Sequence, residues 1–155
     1  MHRNCVEVNR ILEESGAEGR VQILDEAAPT AAAAAGLVGV EVGAIANSLI
    51  FKTAEGEPLL VMTSGAHRVD TAAVAALAGT SRLDRADADF VLEHTGQRIG
   101  GVAPVGHPRP IRTLVDNALR DYPRIWAAGG IPHAVFPTTF DELVRLTGGR
   151  PADVA

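Results

Sequence analysis

The segment Gly100-Gly101-Val102-Ala103-Pro104-Val105-Gly106-His107 gathers the groups of this chain best suited to chemistry. Two adjacent glycines carry no side chain, so their backbone N–H groups can approach a ligand closely. During acyl transfer a carbonyl oxygen becomes an oxyanion, and fixed N–H donors aimed at it lower the barrier by several kcal/mol. Pro104 stiffens the loop without adding a donor. The same glycine pair also reads as a plain turn between strands. No lysine follows the glycines, which argues against a nucleotide phosphate loop. His107 ends the segment, and histidine titrates close enough to neutrality to relay protons. A hydrogen-bonded loop histidine is the alternative. Ser64, His67 and Asp70 have the residue types of a hydrolase triad, yet they fall within one short turn and no GxSxG elbow presents the serine. His2 and His94 lack partners at metal-ligand spacing and Cys5 stands alone, so no metal site is expected.

The elements that must carry these residues alternate along the chain without repeat or linker. Cys5, Val8, Ile11 and Leu12 recur at helical spacing before Gly16, which predicts a helix over Asn4 to Ser15. Val21 to Leu24 reads as a short strand. Thr30 caps the alanine run Ala31 to Ala35, a packed helix leading into Val38 to Ile45. Ser48 to Thr53 and Pro58 to Thr63 flank Ala54-Glu55-Gly56-Glu57 as the arms of a hairpin. Asp70 caps a helix over Thr71 to Leu77, and Asp87 one through Leu92. Ile111 to Val115, Arg124 to Ala128 and His133 to Phe136 read as strands, the last following a turn at Gly129-Gly130. Thr139 to Glu142 is a capping box, and Gly148-Gly149 ends the last helix. Interleaved elements with an antiparallel hairpin exclude a purely parallel sheet and predict a mixed α+β fold.

Bulk properties set further bounds. With 155 residues the chain has one domain's length. Its 46% hydrophobic and 21% charged residues are those of a soluble globular protein, and no apolar run nears the roughly 18 residues that span a bilayer. The N-terminus lacks the pattern of a signal peptide, and a single cysteine cannot build a disulfide framework, so a cytoplasmic protein is expected. A net charge of -5 opposes non-specific nucleic-acid binding, and no recognition helix suggests sequence-specific DNA binding.

The glycine segment, matching GxxxP from Gly100 to Pro104, together with Ala46-Asn47-Ser48-Leu49-Ile50-Phe51-Lys52, resembles the YbaK/ProX family of free-standing aminoacyl-tRNA deacylases. The resemblance runs from about Val8 to Val154. It implies a single editing domain over residues 1–155, built as a closed, mixed β-barrel with peripheral helices. It implies hydrolysis of the ester of a mischarged tRNA, with the tRNA acceptor end and possible delivery by an aminoacyl-tRNA synthetase as partners, and no metal or organic cofactor. Family members begin a strand with a catalytic lysine where this chain has Asn47, which can donate and accept hydrogen bonds but carries no charge. By this correspondence Asn47, Gly100 and Gly101 form the catalytic group. Ser48, Val102, Ala103, Pro104, His107, Asp116, Gly129, Gly130 and His133 form the substrate-binding group. For Asp116, capping of a helix begun by Asn117 is the simpler role. Lys52, the only lysine, sits at an odd strand offset from Asn47 and is expected on the opposite face. Arg109, Arg112, Arg120 and Arg124 supply a local basic patch for tRNA or scattered solvated charge. A second reading is a binding module for an aminoacyl-tRNA, amino acid or nucleotide-linked ligand that lost turnover with the lysine. Ala44, Ala46, Ala103, Ala127 and Ala128 near the motifs suggest selectivity for a small residue.

Overall fold

The two apolar runs around Ala54-Glu55-Gly56-Glu57 pair as an antiparallel hairpin in the computed structural model, which describes residues 1–155. Strand β2 (Ile45–Thr53) and strand β3 (Pro58–Ser64) run in register from Ala46 opposite Ser64 to Lys52 opposite Pro58. Gly56 adopts a φ of 83° at the turn, and the Thr53 hydroxyl accepts the Glu57 N–H at 3.0 Å. Leu59, Leu60, Val61 and Met62 are all fully buried. Both faces of β3 are therefore covered, which explains an unbroken apolar run where a half-exposed strand would alternate. Each such side chain stabilises the fold by about 1.5–3 kcal/mol.

Around this hairpin the chain adds helix α1 (Arg3–Glu14), β1 (Gln22–Ile23), α2 (Ala31–Val38), α3 (Thr71–Ala78), β4 (Leu83–Arg85) and α4 (Ala88–Thr95). It continues with β5 (Arg112–Asp116), β6 (Ile125–Ala128), β7 (Ala134–Thr138), α5 (Phe140–Thr147) and β8 (Arg150–Ala152). Thr30, Asp70, Asp87 and Thr139 each accept a backbone N–H three residues on, so all four expected caps act as such. Expected helix and strand positions hold to within a few residues. Val38 to Ile45 resolves differently: Gly39, at φ 75°, ends α2, and a single 3₁₀ turn over Val42–Ala44 leads into β2. Strands β4 and β8 have no counterpart in the sequence expectations.

The strand path is β1-β7-β6-β2-β3-β5-β8, with β4 attached to β2. Pairs β2–β6, β3–β5 and β5–β8 are parallel; the others are antiparallel. The fold is thus α+β with an eight-stranded mixed sheet. The closed barrel implied by the family resemblance is not formed. Closure requires a ladder between the terminal strands, and here these are β1, two residues long, and β8, three residues long, each bonded on one side only.

Alternation along β2 divides the interior. Ala46 and Ile50 join Leu60, Met62, Phe136 and the Cys5-Val8-Leu12 stripe of α1 in the largest core. Phe51, with Leu59 and Val61, packs on Val74, Ala75 and Ala78 of α3. Ile45, with Trp126 and Val135, packs on Ala34 and Ala35 of α2.

Asp116 ties several of these elements together although it is only 1% exposed. Its carboxylate accepts the Ser64 N–H at 3.0 Å, the Ala118 N–H at 3.0 Å and a His67 Nδ1–H at 2.8 Å. One buried acceptor thereby joins the ends of β3 and β5 to the 3₁₀ turn Asn117–Asp121. Replacing it by alanine leaves buried donors unpaired. Asp116→Ala is expected to lower unfolding stability by about 2–4 kcal/mol in urea titration; a loss under ~0.5 kcal/mol would show that these donors find other partners.

A pocket at the split edge of strand β2

One edge of β2 is paired to β3 along nearly its whole length, but its other edge is divided between two partners. β6 pairs there only with Ile45 and Ala46, and β4 only with Phe51 to Thr53. The Ala86 N–H adds one bond to the Ile50 carbonyl at 3.2 Å. Asn47, Ser48 and Leu49 have no ladder partner on this edge. Unpaired strand backbone must meet water, a side chain or a ligand.

A pocket of about 340 Å³ opens at this split. Its size is that of a small-molecule site. Asn47, Ser48 and Leu49 form its floor, with Ala31 and Ala34 of α2, Ala127 and Ala128 of β6, and Trp126 around them. Ile99, Gly100 and Val102 of the glycine segment complete the wall. No aspartate, glutamate, histidine or cysteine lines the pocket, and Arg85 is its only charged residue. Arg85 makes no ion pair; its guanidinium stands 5.7 Å from the Phe51 ring centroid, a cation–π contact. The N-terminal end of α2, at Pro29, Thr30 and Ala31, adds partial positive charge. A site with this character attracts electron-rich oxygen and has no side chain to take up a proton.

The hydrogen-bonding capacity of the wall is unspent. The Asn47 carboxamide makes no hydrogen bond within the protein, and neither do the backbone N–H groups of Gly100 and Val102. By alternation Asn47 shares a sheet face with Ile45 and Leu49, whereas Lys52 shares the other with Ile50 and places its ammonium 5.5 Å from the Phe90 ring centroid.

The glycine segment is held from behind. Gln97, almost wholly buried, accepts the Ala103 N–H at 2.6 Å and donates to the Val105 carbonyl at 3.2 Å. Thr95 accepts the Gln97 N–H at 3.0 Å. His107 donates from Nε2 to the Ala103 carbonyl at 2.8 Å, and burial pushes its pKa below the ordinary value, favouring the neutral ring. The two glycines do different work. Gly100 has a φ of +96° with open space where a Cβ would point. Gly101 packs so tightly that a Cβ would lie 2.3 Å from the Ile131 carbonyl carbon and 2.6 Å from the Pro132 nitrogen.

Of the residues named from sequence, Asn47, Ser48, Gly100 and Val102 meet in the pocket. Gly101, Ala103, Pro104 and His107 stand behind the wall as its support. Asp116 ends β5 beside Thr63 and Ser64 of β3, outside the pocket lining, in the network described above. Gly129 donates its N–H to the Ala134 carbonyl, and the Gly130 carbonyl accepts from Asn4 Nδ2, so both shape the β6–β7 turn. His133 contributes its carbonyl to the Leu24 N–H, while its neighbours Pro132 and Ala134 face the pocket. Trp126, Arg85 and Ile99 were missed. For Trp126 a signal existed: it is the only tryptophan in the chain and immediately precedes the alanines singled out for selectivity.

Residues 25–146 match the family described as the aminoacyl-tRNA editing domain. A proline–tRNA ligase of Brachyspira hyodysenteriae is 33% identical over 74 residues, which are 48% of this chain and 13% of the ligase. The chain thus matches only a small part of that relative's length. The uncharacterized protein YwhH of Bacillus subtilis is 27% identical over 130 residues, covering 84% of this chain and 82% of its own. Among solved structures, a candidate trans-editing enzyme for prolyl-tRNA synthetase superposes with a TM-score of 0.92 at 40% identity, over 99% of this chain and 98% of that one. A hypothetical protein superposes with a TM-score of 0.88 at 32% identity, over 96% and 98% of the respective chains.

Two expectations follow for the wall. Gly101→Ala should cost at least about 3 kcal/mol because its Cβ meets backbone that cannot yield locally, whereas Gly100→Ala should cost about 1–2 kcal/mol of positive-φ strain; thermal unfolding of the two variants compares them, and equal losses would contradict the assigned roles. His107 supplies the second. The unfolded state binds a proton at His107 near pH 6.5 and the folded state only at lower pH, so stability falls as pH drops through the unfolded value. His107→Gln should flatten the stability profile between about pH 7 and 5, read by urea unfolding at stepped pH; an unchanged slope would mean that the buried ring does not resist protonation.

Proposed function

This chain belongs to the aminoacyl-tRNA editing domain family, and on that premise we propose that it hydrolyses the ester linking a wrongly attached amino acid to the terminal ribose of a tRNA. The observation that carries the reading is the pocket at Asn47 to Leu49, where the Asn47 carboxamide and the N–H groups of Gly100 and Val102 are without partners and the glycine segment forms part of the wall. Water attacks the ester carbonyl carbon, the C–O bond to the ribose breaks, and the free amino acid and the 2′/3′-hydroxyl of the tRNA leave. The N–H groups of Gly100 and Val102 stabilise the oxyanion of the tetrahedral intermediate. Asn47 orients the water or the terminal ribose through its amide. With no titratable base in the lining, the proton lost by the attacking water is relayed through a further water or the substrate's own vicinal hydroxyl to the departing ribose oxygen. Catalysis here is positioning and electrostatics rather than general base chemistry at a side chain. The alanines favour a small aminoacyl group. The likeness to a candidate trans-editing enzyme for prolyl-tRNA synthetase supports action on a tRNA served by that synthetase, with the synthetase as partner. No helix is long and apolar enough to cross a membrane.

The absence of an acid or base from the lining also favours a second reading, a module that binds a charged tRNA end without turning it over. A panel of mischarged and correctly charged tRNAs separates the two: release of at least one amino acid faster than in buffer supports hydrolysis, and protection at the buffer rate supports binding alone. Within an active panel, Asn47→Ala should lower kcat/KM about tenfold, the worth of one hydrogen bond of about 1.4 kcal/mol. Asn47→Lys should raise it, while Lys52→Ala leaves it unchanged. A silent Asn47→Ala with an inactive Lys52→Ala would transfer the role to Lys52.

A further inference from the structure

Trp126 carries the only buried side-chain nitrogen or oxygen in the protein without a hydrogen-bond partner, its indole Nε1. The residue is 8% exposed and lines the pocket at the β2 edge. Buried indole N–H groups ordinarily find an acceptor, because leaving one desolvated and unpaired costs free energy that a phenylalanine would not. The surroundings explain why none is present. Trp126 sits opposite Ile45 in the parallel β2–β6 ladder and packs among Ala34, Ala35 and Val135, which have no polar side-chain atoms. The same ladder register places it on the face that carries Asn47, two residues along β2 from Ile45.

We infer that Trp126 is a substrate-positioning residue whose indole N–H donates to the acyl carbonyl oxygen of the aminoacyl group held in the pocket. The inference rests on the editing reading of the same pocket. Trp126 lines the cavity while its Nε1 is closed off even to water, so the donor is satisfied when an occupant's oxygen enters and the indole turns to meet it. Together with the Asn47 amide and the free N–H groups of Gly100 and Val102, it gives the pocket donors on more than one wall, a pattern that selects an oxygen-rich ligand and fixes its orientation.

The test uses the full chain and an adenosine bearing alanine through a 3′ amide in place of the ester, with plain adenosine as the control ligand. Trp126→Phe keeps an aromatic ring but removes the donor. It should be at least as stable as the wild type in urea, bind the alanyl analogue about three- to tenfold more weakly, and bind adenosine as before. Equal affinity of both proteins for the analogue overturns the contact while leaving the editing reading in place. No binding of the analogue by wild-type protein, with no release of any amino acid from mischarged tRNA, overturns the editing reading and the contact with it. Should the variant fold poorly, the wild type suffices: a chain with one tryptophan gives one indole N–H resonance in ¹⁵N-labelled protein. That resonance should move downfield and exchange more slowly on adding the analogue; an unmoved resonance at saturation overturns the inference.

Discussion

A β-strand has two edges, and the shape of this molecule turns on the fact that β2 fills only one of them. β3 takes the first edge nearly end to end, while β6 and β4 occupy opposite ends of the second and leave Asn47 to Leu49 between them. Exposed strand edges invite pairing with any available backbone. This one is recessed behind α2, the glycine segment and Trp126, so only something small enough to enter the pocket reaches it. The buried hairpin supplies rigidity to one side of the cavity, and shorter elements determine the other.

The electrostatic character of the pocket follows from the same construction. Its walls are apolar side chains and backbone, and its one full charge, Arg85, rests against an aromatic ring without an acidic partner. A lysine ammonium in place of Asn47 would lose part of its hydration in these surroundings, whereas a carboxamide has only dipoles to desolvate. The neutral residue exchanges a strong field for a smaller desolvation penalty. What remains is an array of fixed N–H donors, whose orientation is set by the fold before any ligand arrives.

Sequence made the local features legible and the long-range ones much less so. Thr30, Asp70, Asp87 and Thr139 signal their helices because a cap is a contact across three residues. The hairpin was equally plain, since its turn and both arms are contiguous. The strands β4 and β8 are three residues long and exist only because β2 and β5 hold them, so no periodicity could reveal them. Barrel closure was expected by likeness alone and fails at two short edge strands. At the site, Asn47 and Gly100 were identifiable from their motifs. That Gly101 serves packing against Ile131 and Pro132, and that Trp126 faces the pocket, depends on segments remote in the chain.

The ladder between β2 and β6 contains just two residue pairs, yet it joins the first third of the chain to the last. In a folding chain such a junction comes at a high cost in loop-closure entropy for few hydrogen bonds, while the hairpin beside it closes over a four-residue turn. The hairpin can therefore form early and the Trp126 wall dock onto it late. The order reverses on opening: a seam with so few bonds is among the first that thermal fluctuation parts. The protein thus places one of its two shortest long-range ladders along the boundary of its pocket, where brief separation would admit or release an occupant without disturbing the core.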